Sequence, residues 1–288
     1  MRLASWSWGN QPYVGIVSAD GHELTALDVA RPDRGVLPLI QNLLQGEPLP
    51  AAKGTRLPVS VVQLDAPLRT PKRSIFCVGR NYRAHAAELA GSVFTSNASD
   101  VGQWPIVFTK LPECVVGPHA AVQLPGAKIS EQIDYESELA VVIGKGGKNI
   151  PASRAIEHVF GYTVVNDVTA RDVQMRHSQW DLGKSFDTFC PMGPWIVTAD
   201  EQEHDNIRVR GWVNGELRQD GNTKDLIFDI PTLIETCSRG ITLMPGDVIA
   251  TGTPSGVGMG MKPPSYLKAG DVVRVEIDGI GAIENRFI

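Results

Sequence analysis

One stretch decides both the fold and the first candidate site of this chain, and it reads Asp134-Tyr135-Glu136-Ser137-Glu138-Leu139-Ala140-Val141-Val142-Ile143-Gly144. Its second half predicts a buried strand, because a short apolar run that ends at a glycine is typical of one. Alternate residues of a strand point to the same side, so Glu136 and Glu138 would share a side with their Cα atoms about 7 Å apart. The stretch therefore predicts a strand that begins with a pair of neighbouring carboxylates.

Two carboxylates this close repel each other, and a shared divalent cation would remove the repulsion. Hard ions such as Mg²⁺, Mn²⁺ and Ca²⁺ take carboxylate oxygens as ligands. The alternative is a solvated strand face, as is common for acidic pairs at strand ends. Asp167 is the candidate third ligand, because it ends the predicted strand Gly161–Asp167; its alternative role is the N-cap of the next helix.

Composition and charge exclude several classes of partner. The 288 residues can form one large domain or a small and a large one. A net charge of −5 and the lack of a Lys/Arg run argue against nucleic acid and anionic membrane surfaces. No stretch approaches the roughly 18 apolar residues of a membrane span, and the first residues lack a signal-peptide pattern. The 4 cysteines stand singly, which is typical of reduced thiols, so we expect a cytoplasmic protein.

Two domains are predicted. Residues 1–70 contain short alternating runs around the turn Ala19–Gly21, which indicate a small β-rich domain, with one helix over Val36–Leu44. Prolines then mark an extended linker, and the boundary is placed near residue 70. Residues 71–288 form the larger domain. Strands dominate and helices are short, so the fold class is α+β and β-rich, without a wound βαβ sheet.

A candidate general base lies after the predicted strand Ser74–Gly79. His85 and Glu88 are three residues apart in a helix-forming segment, so they share one face, and a carboxylate beside an imidazole raises its basicity. The alternative is an ordinary surface pair. The polar segment Gly91–Gln103 is predicted to be a mobile loop and part of a lid. Lys110 ends the next strand, and the pattern leaves open whether it faces solvent or the site.

Further polar residues are candidates for ligand binding. A helix predicted from Val168 to about His177 carries Arg171 and Gln174 on one face, and these residue types suit carboxylate and carbonyl groups. Lys184 is either a buried cation or an ordinary surface lysine. Thr253 opens a glycine-rich loop, where its hydroxyl and backbone N–H could donate to a ligand oxygen.

Five motifs in order resemble the fumarylacetoacetate hydrolase superfamily, and they span residues 73–288. They are Gly79-Arg80-Asn81-Tyr82-x-x-His85-x-x-Glu88, Asp134-Tyr135-Glu136-x-Glu138-Leu139, Asn166-Asp167-Val168-Thr169-Ala170-Arg171-Asp172-x-Gln174, Gly183-Lys184-Ser185-Phe186-Asp187 and Thr251-Gly252-Thr253-Pro254-x-Gly256-Val257-Gly258. Residues 1–70 resemble the small extra domain of longer bacterial members.

The resemblance implies a mixed β-roll catalytic domain of the fumarylacetoacetase C-terminal type, usually as a homodimer. It implies Mg²⁺ or Mn²⁺, or Ca²⁺ in a crystal, held by three metal ligands: Glu136, Glu138 and Asp167. It implies three catalytic residues, namely His85 and Glu88 as a dyad on a lid and Lys184 as the cation beside the metal. It also implies five substrate contacts: Arg80, Tyr82, Arg171, Gln174 and Thr253.

The first functional expectation is hydrolytic cleavage of a C–C bond in an acylpyruvate-like β-diketo acid, through a metal-stabilised enolate. The same site could decarboxylate oxaloacetate or isomerise an acid of the 2-hydroxyhepta-2,4-diene-1,7-dioate type. A metal-dependent keto-acid-binding protein without turnover is the alternative from another class. The segment Gly91–Gln103 is longer than the compact lid of acylpyruvase-type members, which leaves the size of the substrate open.

Overall fold

A computed structural model describes residues 1–89, 103–176 and 178–288. Its β-rich architecture confirms the predicted fold class. The predicted lid segment lies outside the described residues, apart from Gln103 at its end. Across the described ranges, no helix is long and apolar enough to cross a membrane.

Strands supply most of the regular structure. They are β1 Arg2–Trp8, β2 Gln11–Val17, β3 Glu23–Ala26, β4 Leu57–Pro58, β5 Gln63–Asp65, β6 Ile75–Gly79, β7 Ile106–Lys110, β8 Val115–Val116, β9 Ile133–Asp134, β10 Ser137–Ile143, β11 Val159–Asn166, β12 Thr169–Ala170, β13 Cys190–Thr198, β14 Arg208–Val213, β15 Glu216–Asn222, β16 Val248–Ala250, β17 Val272–Ile277 and β18 Gly281–Arg286. The α-helices are α1 Leu37–Leu44, α2 Arg83–Glu88, α3 Arg171–Gln174, α4 Asp181–Lys184 and α5 Ile230–Ser238.

A large mixed sheet carries the order β4-β3-β2-β1-β13-β11-β10-β16-β6-β7, with β5 paired to β1 and β8 to β13. A 4-stranded antiparallel sheet, β15-β14-β17-β18, and the short pair β12-β9 complete the architecture. Every residue of β10 is buried, because this strand is paired on both edges and covered on both sides. The predicted strand at the centre of the sequence is therefore also central in the sheet.

The first 65 residues extend this same sheet. Strand β1 pairs with β13 through Arg2↔Val197 and Leu3↔Ile196. Leu3 packs in the same buried cluster as Ile75 and Ala140 of the larger part. The two parts share one sheet, and each of the two apolar clusters contains residues of both. The boundary near residue 70 stays a prediction.

The helix predicted from Val168 to about His177 is shorter in the structure. Thr169 and Ala170 pair instead with β9, and the backbone N–H of Arg171 donates to the carbonyl of Gln132 at 2.8 Å. Of the described residues in this segment, only Arg171–Gln174 is α-helical. A long-range strand pairing has overridden the local helix preference, which is a weak effect by comparison.

Candidate active site

Three carboxylates meet where β10 begins and β11 ends. The antiparallel register pairs Ser137 with Asn166, and the backbone N–H of Asp167 donates to the carbonyl of Glu136 at 2.9 Å. This pairing brings Asp167 beside Glu136 and Glu138, and one ligand oxygen from each of the three lies within 4.8 Å of the others. All three side chains are buried. The two glutamates therefore lie together, as the strand period predicts, and Asp167 lies beside them.

Two buried lysines contact this carboxylate cluster. The Lys184 ammonium donates to Glu136 Oε2 at 2.7 Å and to Asp167 Oδ2 at 2.8 Å. Lys110 donates to the other oxygen of Asp167, Oδ1, at 2.7 Å. Neither lysine is a surface residue, since both are at most 2% exposed. Helix α4 approaches α3 closely at Gly183, where a Cβ would lie only 2.5 Å from the backbone nitrogen of Gln174.

The environments of the two glutamates push their pKa values apart. Burial alone would raise the pKa of Glu136, but the charges of Lys184 and Arg171 outweigh it and lower this pKa to about 2. Burial and the nearby charges of Asp167 and Glu136 raise the pKa of Glu138 well above its usual value. Its partner in the structure is the backbone N–H of Gly252, which donates to Oε2 at 2.9 Å. In the part of the chain that the structure describes, Glu138 thus lacks the ion-pair partners that Glu136 has.

The donor set fits a hard divalent ion. Carboxylate oxygens are the ligands that Mg²⁺ and Mn²⁺ prefer, and three of them converge here in a buried site. Among the described residues, Glu136 and Asp167 have lysine or arginine ion-pair partners and Glu138 has none, so the charge of Glu138 is poorly compensated. A divalent cation held by Glu136, Glu138 and Asp167 would supply that compensation.

His85, of the histidine–glutamate pair, faces the same site. His85 is 3% exposed, and its Nδ1 lies 3.1 Å from Glu88 Oε2. Glu88 is fixed in turn by the backbone N–H of Gly256, which donates to Oε1 at 2.9 Å. The glycine-rich loop requires glycine at two points, because a Cβ on Gly256 or on Gly258 would meet a backbone oxygen, at 1.8 and 2.2 Å respectively. The surface-pair alternative for His85 and Glu88 is therefore wrong.

The Arg171 guanidinium contacts the carboxylate cluster and also reaches the side of the site where a ligand would lie. Its Nε donates to Asp134 Oδ2 at 2.9 Å, its Nη1 lies 2.7 Å from Glu136 Oε1, and Gln174 accepts from it at 3.2 Å. Among the described residues its Nη2 has no hydrogen-bond partner, although the atom is buried. A buried donor without a partner is costly, so Nη2 is suited to an acceptor that the chain does not provide.

A cavity of about 20 Å³ lies between these groups. By the same measure a water molecule needs roughly 10–15 Å³, so the space is narrow. The lining residues combine acidic, basic and aromatic groups, and they are Val78, Gly79, Arg80, His85, Leu89, Phe108, Glu136, Glu138, Arg171, Gln174, Trp180, Lys184 and Thr253. The apolar wall includes Phe108 and Trp180, whose rings meet edge to face with centroids 5.3 Å apart.

Most predicted site residues meet at this cavity. Tyr82 does not line it: the side chain is buried, and its hydroxyl has no hydrogen-bond partner in the described part of the chain. Asp167 does not line the cavity either, but its carboxylate accepts hydrogen bonds from Lys110 and from Lys184, which does line it. Thr253 lines the cavity, but its hydroxyl already donates to the carbonyl of Ser137 at 3.1 Å.

Sequence reasoning missed or left open several contributors. The orientation of Lys110 was undecided, and it points inward to Asp167. Asp134 belonged to a quoted motif without a role, yet it accepts from Arg171 and from the backbone N–H groups of Gly258 and Met259, at 2.7 and 3.0 Å. Trp180 carried no local signal. Its neighbour in space is Gly79, where a Cβ would lie 2.5 Å from the indole ring.

Comparisons with known proteins agree with this geometry. The sequence profile described as "Fumarylacetoacetate (FAA) hydrolase C-terminal" matches residues 74–288. Over 230 residues the chain is 50% identical to oxaloacetate tautomerase YisK of Bacillus subtilis, which covers 80% of this chain and 74% of that protein.

Solved structures share the fold over the whole length. A fumarylacetoacetate hydrolase from Exiguobacterium antarcticum matches with a TM-score of 0.84 and 40% identity, covering 100% of this chain and 99% of that one. A 2-hydroxyhepta-2,4-diene-1,7-dioate isomerase from Mycobacterium marinum matches with a TM-score of 0.77 and 32% identity, covering 100% and 98%. The protein is therefore an enzyme that acts on keto acids, and the chain belongs to the fumarylacetoacetate hydrolase family.

Proposed function

We propose that this enzyme interconverts the keto and enol forms of a small 2-oxo dicarboxylic acid, with oxaloacetate as the expected substrate. The observation that carries the proposal is that a buried base, His85, lines one narrow cavity with Lys184, Glu136 and Glu138. Proton transfer next to a ketone needs a base on one side and a cation at the oxygen, and this cavity offers both. The tautomerase among the relatives supports the same choice.

The acidic cluster would hold Mg²⁺ or Mn²⁺ through Glu136, Glu138 and Asp167. Such an ion, when bound, supplies Lewis-acid polarisation of a keto oxygen. The choice between the two metals belongs to the proposal as well, because carboxylate oxygens suit both.

Different side chains take the proton, stabilise the charge on the keto oxygen and bind the substrate carboxylate. With Nδ1 of His85 held by Glu88, Nε2 is the nitrogen that takes a proton from the methylene beside the keto carbon. The electron pair of that C–H bond forms the new C=C bond, and the keto oxygen gains charge. Lys184 stabilises this oxygen by hydrogen bonding, and Arg171 Nη2 binds a substrate carboxylate. Return of the proton to oxygen completes the enol, so no co-reactant is needed.

Hydrolytic cleavage of an acylpyruvate, our first expectation from sequence, stays as the second candidate. The observation that favours it is the His85–Glu88 pair, which could activate a water molecule instead of a C–H bond. The narrow cavity and its wall of Phe108 and Trp180 favour a short substrate over a long acyl chain. Decarboxylation of oxaloacetate would use the same enolate and needs no general base.

Substrate profiling with purified protein and Mg²⁺ or Mn²⁺ separates these activities. We expect faster equilibration of the oxaloacetate enol, followed by its ultraviolet absorbance, without net loss of oxaloacetate. Acylpyruvates in the same buffer serve as the comparison, with products identified by chromatography. Release of pyruvate and a fatty acid from acylpyruvates, with no effect on the enol of oxaloacetate, would refute the first proposal and establish the second.

We also propose a homodimer formed through residues 71–288. Strand β7 is a terminal strand of the large sheet, and exposed apolar side chains lie on and near it: Val107 and Leu111 are 37% and 50% exposed. Leu182 of α4 is 73% exposed.

Light scattering should give twice the chain mass of 31.2 kDa. Leu182→Glu should favour the monomer, whereas Leu44→Glu on α1 should not. A monomer mass at micromolar concentration would count decisively against the dimer.

A further inference from the structure

Lys110 is a buried cation for which neither the predicted site nor the proposed proton transfer has a use. It ends strand β7 and is 0% exposed. Its ammonium donates to Asp167 Oδ1 at 2.7 Å, to the carbonyl oxygen of Val168 at 3.1 Å, and to the carbonyl oxygen of Lys184. An ammonium has three donors, so the whole hydrogen-bonding capacity of Lys110 is used within the protein.

Lys184 differs from Lys110 in this respect. Its ammonium has two carboxylate acceptors among the described residues, Glu136 and Asp167, and lies 4.8 Å from the centre of the Phe108 ring. One donor therefore remains for a ligand, and Lys184 lines the cavity while Lys110 does not. Lys184 can therefore donate a hydrogen bond to a ligand, whereas Lys110 donates only to the protein.

We propose that Lys110 is a positioning residue that fixes both the acidic cluster and Lys184. By holding Oδ1 of Asp167 it keeps the other oxygen, Oδ2, directed at the centre of the site. By holding the carbonyl of Lys184 it fixes the backbone from which the free ammonium donor reaches the cavity. A single ammonium on β7 thus sets the geometry of a metal ligand and of the cation that stabilises the enolate. This inference rests on the proposed function.

Titration with Mn²⁺ alone tests the first half, on the wild type and on Lys110→Met. We expect Mn²⁺ binding to weaken about 10- to 100-fold, the range typical when a partner of a metal ligand is lost. A merely structural lysine would give a different result, because the folded fraction would bind with the wild-type dissociation constant and only the stoichiometry would fall.

Kinetics at saturating Mn²⁺ test the second half. With Lys184 no longer held, we expect kcat for oxaloacetate enolisation to fall about tenfold or more while KM changes little, as for an interaction made mainly in the transition state. Lys110→Arg keeps the charge and should recover most of the Mn²⁺ affinity. A folded Lys110→Met protein with wild-type Mn²⁺ affinity and kcat would overturn the proposal.

A matched control is available just before strand β6. Arg73 also binds a buried carboxylate, Asp247, and a backbone carbonyl, that of Thr242 at 2.8 Å, but neither partner lines the cavity. Arg73→Met should therefore lower stability without changing Mn²⁺ affinity. If Lys110→Met does not fold, Lys110→Gln decides by the same titration.

The outcomes separate the two proposals. Wild-type protein that binds Mn²⁺ but leaves the oxaloacetate enol unchanged would refute the proposed function, while the Mn²⁺ titration of the Lys110 variants would still support or overturn the positioning role. Wild-type protein that binds no Mn²⁺ under these conditions would overturn both.

Discussion

Replacing Glu138 by glutamine will abolish metal-dependent turnover while leaving the metal-free protein at least as stable as the wild type. The amide keeps the shape of the side chain and an oxygen for the Gly252 N–H, which donates to Oε2 at 2.9 Å in the wild type. It removes a charge that burial and the nearby charges of Asp167 and Glu136 disfavour. Loss of a Lewis acid that supplies several kcal/mol should lower kcat by about 10³ or more.

Thermal unfolding with and without Mn²⁺ separates the two effects. The wild type should gain about 2.7 kcal/mol of unfolding free energy when Mn²⁺ is at 100 times its dissociation constant, and Glu138→Gln should gain almost nothing. Glu138→Ala should lose turnover equally, but at a cost in stability from the space it leaves. Glu131→Gln, an exposed change, serves as the control. Full activity with normal Mn²⁺ stabilisation in Glu138→Gln would remove Glu138 from the metal site.

Replacing His85 by alanine will lower kcat by about 10² to 10⁴, the usual range for a lost general base. Mn²⁺ affinity should stay nearly unchanged, because His85 is not a proposed ligand. Glu88 would keep its contact with the Gly256 N–H, so the glycine-rich loop should stay in place. Stopped-flow measurement of the oxaloacetate enol, with parallel Mn²⁺ titration, checks both statements.

A second buried histidine provides the matched control. His158 is 8% exposed, its Nδ1 lies 2.7 Å from the carbonyl of Lys145, and it does not line the cavity. His158→Ala should therefore affect stability but not kcat. Any decarboxylation of oxaloacetate should suffer less from His85→Ala, since it needs no proton abstraction. Unchanged enolisation in His85→Ala would leave Lys184 and the metal site as the whole catalytic apparatus.

The acidic cluster was predictable because it depends on short-range rules. The period of a strand places Glu136 and Glu138 on one side, and Asp167 stands at the end of the strand that pairs with theirs. The helix pair of His85 and Glu88 follows from a spacing of three residues. Such contacts need only the geometry of one element or of two neighbouring ones.

The remaining site residues depend on contacts between distant parts of the chain. The strand period places Lys110 on one of the two sides of β7. Both sides of this strand carry partly buried residues, so the sequence pattern does not determine whether Lys110 points to the site or to solvent. Asp134 binds Arg171 only because β9 pairs with β12, the same pairing that shortened the predicted helix. Trp180 meets Gly79 across about 100 residues of sequence.

The pairing of β1 with β13 has a consequence for anyone who wishes to reduce this enzyme to a minimal catalytic fragment. The family match begins at residue 74, yet a cut there would strip β13 of a neighbour and uncover the apolar cluster to which Leu3 contributes. A naked strand edge beside exposed apolar surface is a template for aggregation. The N-terminal strand β1 therefore protects that edge of β13 against pairing with another molecule.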